Sequence, residues 1–353
     1  MTGLGTIRDG SGPSELGNPF VVKHLSAEAV LGGLGRPFTV VVNDPPWTDL
    51  SVSVPIPARV VSAWDMDLAH LESLVTPDDT GEVVVGIGGG TALDTAKFLA
   101  WKTNRTLVQI PTITSVDAGF TDAIGVRVNG NVRYIAHIVP EFVVVDVDII
   151  RSAPLRLNRS GIGDILSCHT GLWDWREASE RGIGHRWDDR LASLGRTLLI
   201  ELDDAAADVW AVSEAGVRWM VDAYRRVGAA CAAAGHSRFE EGSEHFWAYS
   251  YEHNTGAHQV HGELIALAVV AIAAVQDNDA DWAQGVVRRC GTRAHPGELG
   301  ITFRQFSDAL LGLRDYARDQ DLDWGVAEMR TLKATDAHRA WDLLESLPLL
   351  GTA

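Results

Sequence analysis

Between Val83 and Lys97 an apolar, β-branched run, Val83-Val84-Val85-Gly86-Ile87, meets three consecutive glycines, Gly88-Gly89-Gly90, and continues as Thr91-Ala92-Leu93-Asp94-Thr95-Ala96-Lys97. The run reads as a buried strand, and the segment from Thr91 as the first turns of a helix with an acid and a base on its polar side. Glycines at such a junction let backbone N–H groups come close to a ligand, while the unpaired amides and dipole of a helix N-terminus favour a negative group. Two readings follow: a phosphate cradle, or a tight turn with no ligand. The triplet is neither the spaced G-x-G-x-x-G fingerprint in its usual setting nor a Walker loop ending in Gly-Lys-Ser/Thr. The rest of the chain has to decide.

Short β-branched runs recur around this turn, at Phe38 to Val42, Arg59 to Ala63, Leu107 to Ile110 and Phe142 to Val145, with helix-like segments between several of them. Alternation of this kind predicts a mostly parallel sheet with helices on its faces, and ligands in such sheets bind at the carboxyl ends of strands. After Pro154 the character changes. From about residue 160 the chain is rich in Ala, Leu, Trp, Arg and Glu and reads as a set of helices, with breaks at Gly182-Ile183-Gly184, Gly235-His236-Ser237 and Asp277-Asn278-Asp279. The expected organisation is a flexible leader over 1–20, an α/β domain over 21–155 and a helical domain over 156–353. A chain of 353 residues has room for two cores.

Composition narrows the class of function. A formal net charge of −17, with no cluster of Lys and Arg, argues against a nucleic-acid partner. Neither a secretory signal nor an apolar stretch of ~20 residues is present, so the expected location is cytoplasmic with no membrane partner. Three widely spaced cysteines, Cys168, Cys231 and Cys290, offer no disulfide framework and read as free thiols. Twelve tryptophans are more than a small core needs; some fit a subunit interface of a homo-oligomer, others ordinary helix packing.

Two segments carry chemistry beyond the glycine turn. Ser160-Gly161-Ile162-Gly163-Asp164 opens a helix with Asp164 in its first turn, where it either caps the helix or faces the cleft between the domains. Further on, Gly242-Ser243-Glu244-His245 leads through Tyr249 and His253 to His258 and His261-Gly262-Glu263, so four of the twelve histidines fall between 245 and 261. Helical spacing puts His245, Tyr249 and His253 on one face, and His261 starts the next apolar helix. Any one of these histidines alone is more simply a surface or core residue. Two imidazoles and a carboxylate together make a mixed N/O site for zinc or ferrous iron with a position left open, where the metal can polarise a carbonyl or stabilise an alkoxide.

Taken in order, Gly88-Gly89-Gly90 with Asp94 and Ala96-Lys97, then Pro111-Thr112-Ile113-Thr114-Ser115-Val116-Asp117, Gly161-Ile162-Gly163-Asp164, Ser243-Glu244-His245 and His261-Gly262-Glu263 resemble the iron-containing alcohol dehydrogenase and dehydroquinate synthase-like superfamily, with the nearest likeness to its glycerol-1-phosphate dehydrogenases. The resemblance covers about 35–275. It implies a Rossmann-like parallel-sheet domain followed by a helical domain, an active site in the cleft between them, and a metal held by Asp164, His245 and His261. It further implies NAD or NADP with its pyrophosphate on Gly88, Gly89, Gly90, Thr91 and Asp94, with Lys97 beside them. Thr112, Ser115 and Thr121 would be further dinucleotide contacts, and Asp44, after the first strand, could meet the adenosine ribose. Asp117 resembles an aspartate that binds substrate hydroxyls; by itself it also suits a loop-stabilising Asx turn. The implied activity is metal-dependent hydride transfer between nicotinamide and a small polyol or ketone.

Departures from the family pattern bear on the substrate. Tyr249 stands where the family usually carries a second histidine, and a phenol with an ordinary pKa near 10 is a poorer proton shuttle near neutrality. Tyr249, His253 or a water is then the expected relay. Cys168 and His169 stand where phosphate-using members tend to have a Lys and an aromatic residue, which points toward a non-phosphorylated substrate. Dehydroquinate synthase-type cyclases carry Gly-Gly-Lys after the substrate aspartate and a glutamate ligand; here the stretch is Ala118-Gly119-Phe120-Thr121-Asp122 and the ligand is Asp164. A cyclase that oxidises and re-reduces with bound NAD remains the alternative, and a non-catalytic binding protein a third.

Overall fold

The computed structural model describes residues 19–351. Of the leader expected over 1–20, residues 1–18 lie outside the described residues, and Phe20 departs from it: the ring is buried, beside Gly228.

Among the described residues eight strands lie in the first part of the chain, with helices between several of them: β1 (Val22–Lys23), β2 (Phe38–Val42), β3 (Arg59–Ser62), β4 (Val83–Gly88), β5 (Thr106–Pro111), β6 (Ala123–Val128), β7 (Asn131–His137) and β8 (Phe142–Val144). Six of them form one sheet in the order β1-β8-β5-β4-β2-β3, parallel throughout. Every residue of β2 and β4 is buried, as β-branched runs covered by helices on both faces must be. One face packs Val40, Val42, Val83, Val85 and Ile87; the other packs Val41, Val84 and Leu107 against the helix Gly90–Thr103. The glycine turn therefore sits at the carboxyl end of a central strand, between β2 and β5.

Two features went unanticipated. β1 is only two residues long, too short for periodicity to register. The β6–β7 pair is an antiparallel hairpin turning on Asn129-Gly130, both with positive φ (53° and 77°). That dipeptide is a strong hairpin signal, which a reading tuned to strand–helix alternation passes over.

After β8 the described chain is helical, from Val147–Ser152 to Ala334–Glu345. The helix His261–Gln276 is buried along nearly its whole length and forms the axis of this part. The three expected breaks fall between helices, with left-handed residues at Gly182, Gly184, Gly235, Asp277 and Asp279. Trp175 and Trp247 are fully buried here, so core packing accounts for these two tryptophans, whereas Trp210 is exposed with the Arg159 guanidinium over its ring. Among the described residues no helix is long and apolar enough to cross a membrane.

Glycines set how closely the helices approach. A Cβ on Gly161 would overlap the Thr114 carbonyl oxygen, and one on Gly262 the Ser160 carbonyl oxygen. A Cβ on Gly163 would come within 2.5 Å of the Gly262 carbonyl oxygen. The helix Ile162–Leu166, which carries Asp164, thus lies directly against the helix that His261 begins.

Candidate active site

A cleft of about 1690 Å³ runs between the carboxyl ends of the strands and the helical part. On the sheet side, the helix Gly90–Thr103 starts from Gly89 with no side-chain cap, so its first amides are open toward the cleft. Close packing explains the glycines. A Cβ on Gly89 would sit 2.8 Å from Ile113 Cδ1, and one on Gly90 2.9 Å from Val116 Cγ1. Gly88 has φ of 151°, and its Cβ would press on Asn43 Oδ1 at 2.6 Å; it ends β4, and its carbonyl accepts from Thr112 N–H at 3.0 Å. Thr91, Asp94, Thr112, Ser115 and Thr121 line the same wall, and Asp44 lies on the cleft with its carboxylate accepting from Thr48 Oγ1 at 3.0 Å.

Lys97 departs from its expected place beside the cofactor. The side chain is wholly buried, with Nζ 2.9 Å from Asp94 Oδ1 and donating to Thr121 Oγ1 and the Ala123 carbonyl at 3.0 Å each. One helical turn beyond Asp94, it points inward and ties the helix to the start of the hairpin. Burial raises the Asp94 carboxyl, and the Lys97 ammonium opposes that shift.

Opposite, the structure brings Asp164, His245 and His261 together: one donor atom from each lies within 4.8 Å of the other two. Asp164 is nearly buried; Oδ2 accepts the Asp117 N–H at 3.0 Å, while Oδ1 has no hydrogen-bond partner and lies 3.4 Å from His261 Nε2. His245 Nδ1 is 3.0 Å from Glu244 Oε1, leaving Nε2 as its free nitrogen. Glu244 is itself buried and held by Thr170 Oγ1 at 2.7 Å and Gly242 N–H at 2.6 Å. Burial disfavours a charged His245, but the Glu244 hydrogen bond and charge outweigh it and lift the imidazole to about 9. Asp117 lies beside the triad, pushed up to about 8 by burial and by the Asp164 charge. An unpartnered buried carboxylate oxygen beside two imidazoles, one steered by a second carboxylate, is a donor set that fits a divalent ion.

Tyr249 is in the cleft, with its ring 6.0 Å from that of His245 and Oη donating to Glu241 Oε1 at 2.9 Å. His253 is not. One further turn rotates it onto the solvent side of the helix Ser243–Thr255, where it is exposed and packs on Tyr316 with 5.6 Å between rings. Cys168 and His169 also point elsewhere: Cys168 is in the helical core, and His169 Nε2 meets the Asn278 carbonyl at 2.6 Å. Neither position can report on a phosphate in this cleft. Sequence reasoning missed Glu240, Glu241 and Glu244, although Glu244 is adjacent to His245, and it missed Tyr134, which reaches the cleft from β7. Glu240 accepts from the Cys231 thiol at 3.1 Å, and burial and the Asp117 charge push it well up.

Known proteins share this arrangement of elements. The model of the iron-containing alcohol dehydrogenase family matches residues 50–154. A glycerol-1-phosphate dehydrogenase [NAD(P)+] of Cenarchaeum symbiosum is 30% identical over 251 residues, covering 70% of this chain and 70% of the relative. The chain belongs to the iron-containing alcohol dehydrogenase family. Another relative of this family, a glycerol-1-phosphate dehydrogenase [NAD(P)+] of Hyperthermus butylicus, is also 30% identical, over 223 residues that cover 62% of this chain and 63% of the relative. In fold, this iron-containing alcohol dehydrogenase family member is similar to the crystal structure of a probable glycerol dehydrogenase from Sinorhizobium meliloti, with a TM-score of 0.69, 20% identity, and coverage of 93% of this chain and 96% of that one.

Proposed function

We propose that the protein transfers a hydride between a nicotinamide dinucleotide and a small polyol or its ketone, with one divalent metal ion held by Asp164, His245 and His261. The observation that carries this reading is the orphaned Asp164 oxygen beside two imidazoles, on the same cleft as an uncapped, glycine-led helix N-terminus. The names of the glycerol-1-phosphate dehydrogenase relatives agree with a substrate of this size. In this reading residues 21–155 carry the dinucleotide and 156–353 the metal and substrate.

The amides of Gly89, Gly90 and Thr91 hold the pyrophosphate, with the Thr112, Ser115 and Thr121 hydroxyls along its path and Asp44 toward the ribose. When bound, the divalent ion supplies Lewis acidity toward a carbonyl oxygen. Glu244 fixes the His245 ring so that Nε2 faces the site. Asp117, whose N–H donates to Asp164 Oδ2 and which lines the cleft beside the triad, is placed to hydrogen-bond a substrate hydroxyl. Lys97 acts behind the wall, holding the Thr121 hydroxyl in place.

The test is oxidation of NADH and NADPH against a panel of small ketones by protein stripped of metal and then reloaded with zinc or iron. Turnover is expected only after reloading. A reloaded protein that consumes no reduced nucleotide with any ketone would overturn the reading.

A further inference from the structure

Tyr134, Tyr249 and Glu241 form a hydrogen-bonded chain that the hydride chemistry leaves unused. Tyr249 Oη donates to Glu241 Oε1 at 2.9 Å and lies 3.4 Å from Tyr134 Oη. A phenol has one proton to give. With that of Tyr249 committed to Glu241, its oxygen can only accept from Tyr134, so the Tyr134 proton points inward and its free lone pair faces the cleft. Tyr134 is the open end of the chain, 56% exposed and lining the cleft, whereas Tyr249 is 8% exposed. Its position is fixed through both strands of the hairpin, beside the turn. Arg127 Nη2 lies 2.7 Å from Glu252 Oε2, on the helix that carries Tyr249, and Asn131 Oδ1 accepts from Tyr316 Oη at 3.1 Å.

Charge around the chain points the same way. Among the described residues lining the cleft, Arg127 is the one Lys or Arg, and Glu252 already pairs with it. Asp117, Asp164, Glu240 and Glu241 face the same space.

We propose that the Tyr134–Tyr249–Glu241 chain determines which substrates are accepted, by taking a hydroxyl donor at the end of the molecule away from the reacting carbon, so that the substrate is a non-phosphorylated polyol or hydroxyketone. This rests on the dehydrogenase reading of the cleft. A lone pair presented to the cleft recognises an O–H. A phosphate dianion brings only acceptors: it would oblige Tyr134 to turn its proton outward and give up its bond to Tyr249, and it would meet carboxylates with no free guanidinium or ammonium, the groups that phosphate sites use.

The experiment compares dihydroxyacetone with dihydroxyacetone phosphate on the zinc-loaded protein, wild type and Tyr134→Phe. Dihydroxyacetone is expected to have the higher kcat/KM. Tyr134→Phe should raise its KM about tenfold with little change in kcat, and should not raise that of the phosphate ester. A higher kcat/KM for the phosphate ester, or an equal KM rise for both ketones, overturns the proposal. Calorimetric titration of dihydroxyacetone in the presence of NAD+ separates it from the reading beneath it. About tenfold weaker binding to Tyr134→Phe supports the chain even where neither ketone turns over, a result that would sink the dehydrogenase reading alone; unchanged binding overturns the chain.

Discussion

On the sheet side of the cleft the surface offered to a ligand is mostly backbone, at Gly89 and Gly90 where an uncapped helix begins; on the helical side it is side chains, Asp164, His245, His261, Tyr249 and Glu241, drawn from three helices and the turn before one of them. The backbone wall is a matter of space, since its glycines are needed because a Cβ would strike Ile113 or Val116. The side-chain wall is a matter of charge. It gathers acids and imidazoles out of water, leaves Asp164 Oδ1 without a partner, and raises Asp117 and Glu240 far above ordinary carboxyls. A cation resolves much of that tension, so the second wall should depend on its ligand more than the first does.

The largest expected effect breaks the side-chain wall alone. His245→Ala removes one of three donors and should take the bound metal to near zero by elemental analysis, with turnover falling roughly 10²–10³-fold. Nucleotide binding, followed by NADH fluorescence, should survive. Unaltered metal stoichiometry in this variant would remove the triad as the metal site. Next in size is Gly161→Ala, which adds a methyl where the Thr114 carbonyl already sits and should destabilise the fold by about 3 kcal/mol. A lower thermal midpoint together with weaker metal binding is the expected outcome, because Asp164 follows three residues later. A midpoint equal to that of wild type would show that the helix can shift without cost.

The same contrast governs what could be read from the chain. Strands β2, β4, β5 and β8 announce themselves through β-branched runs, and the glycine turn through sterics that act within a few residues. Asp164, His245 and His261 needed a known family pattern to be picked out together, since their meeting depends on glycines at 163 and 262 that let two helices touch and on Gly161, which seats the Asp164 segment against the Thr114 carbonyl. Lys97 and His253 show where local reasoning stops. Both fit a helical face on paper, yet one turn carries Lys97 into the interior beneath Thr121 and turns His253 out against Tyr316. Tyr134 was invisible because the hairpin that delivers it was itself missed, and Glu241 because its partner, Tyr249, becomes a neighbour only once the helix and the turn before it are folded.

The smallest effect sharpens the comparison from the other wall. Gly90→Val places a branched side chain where even a Cβ lies 2.9 Å from Val116 Cγ1, at the first residue of the helix whose amides face the cleft. Because Val116 can turn aside, the fold should lose little; because the new methyls stand over the open amides, a pyrophosphate should be kept from full contact. NADH affinity is expected to fall about tenfold, on the scale of one or two lost hydrogen bonds to a charged group, with metal content unchanged. Metal content falling in step with NADH affinity would mean that the two walls are coupled through Val116 and the neighbouring Asp117, whose N–H donates to Asp164. The contrast between a wall of space and a wall of charge would then be a property of one continuous loop rather than of two independent sites.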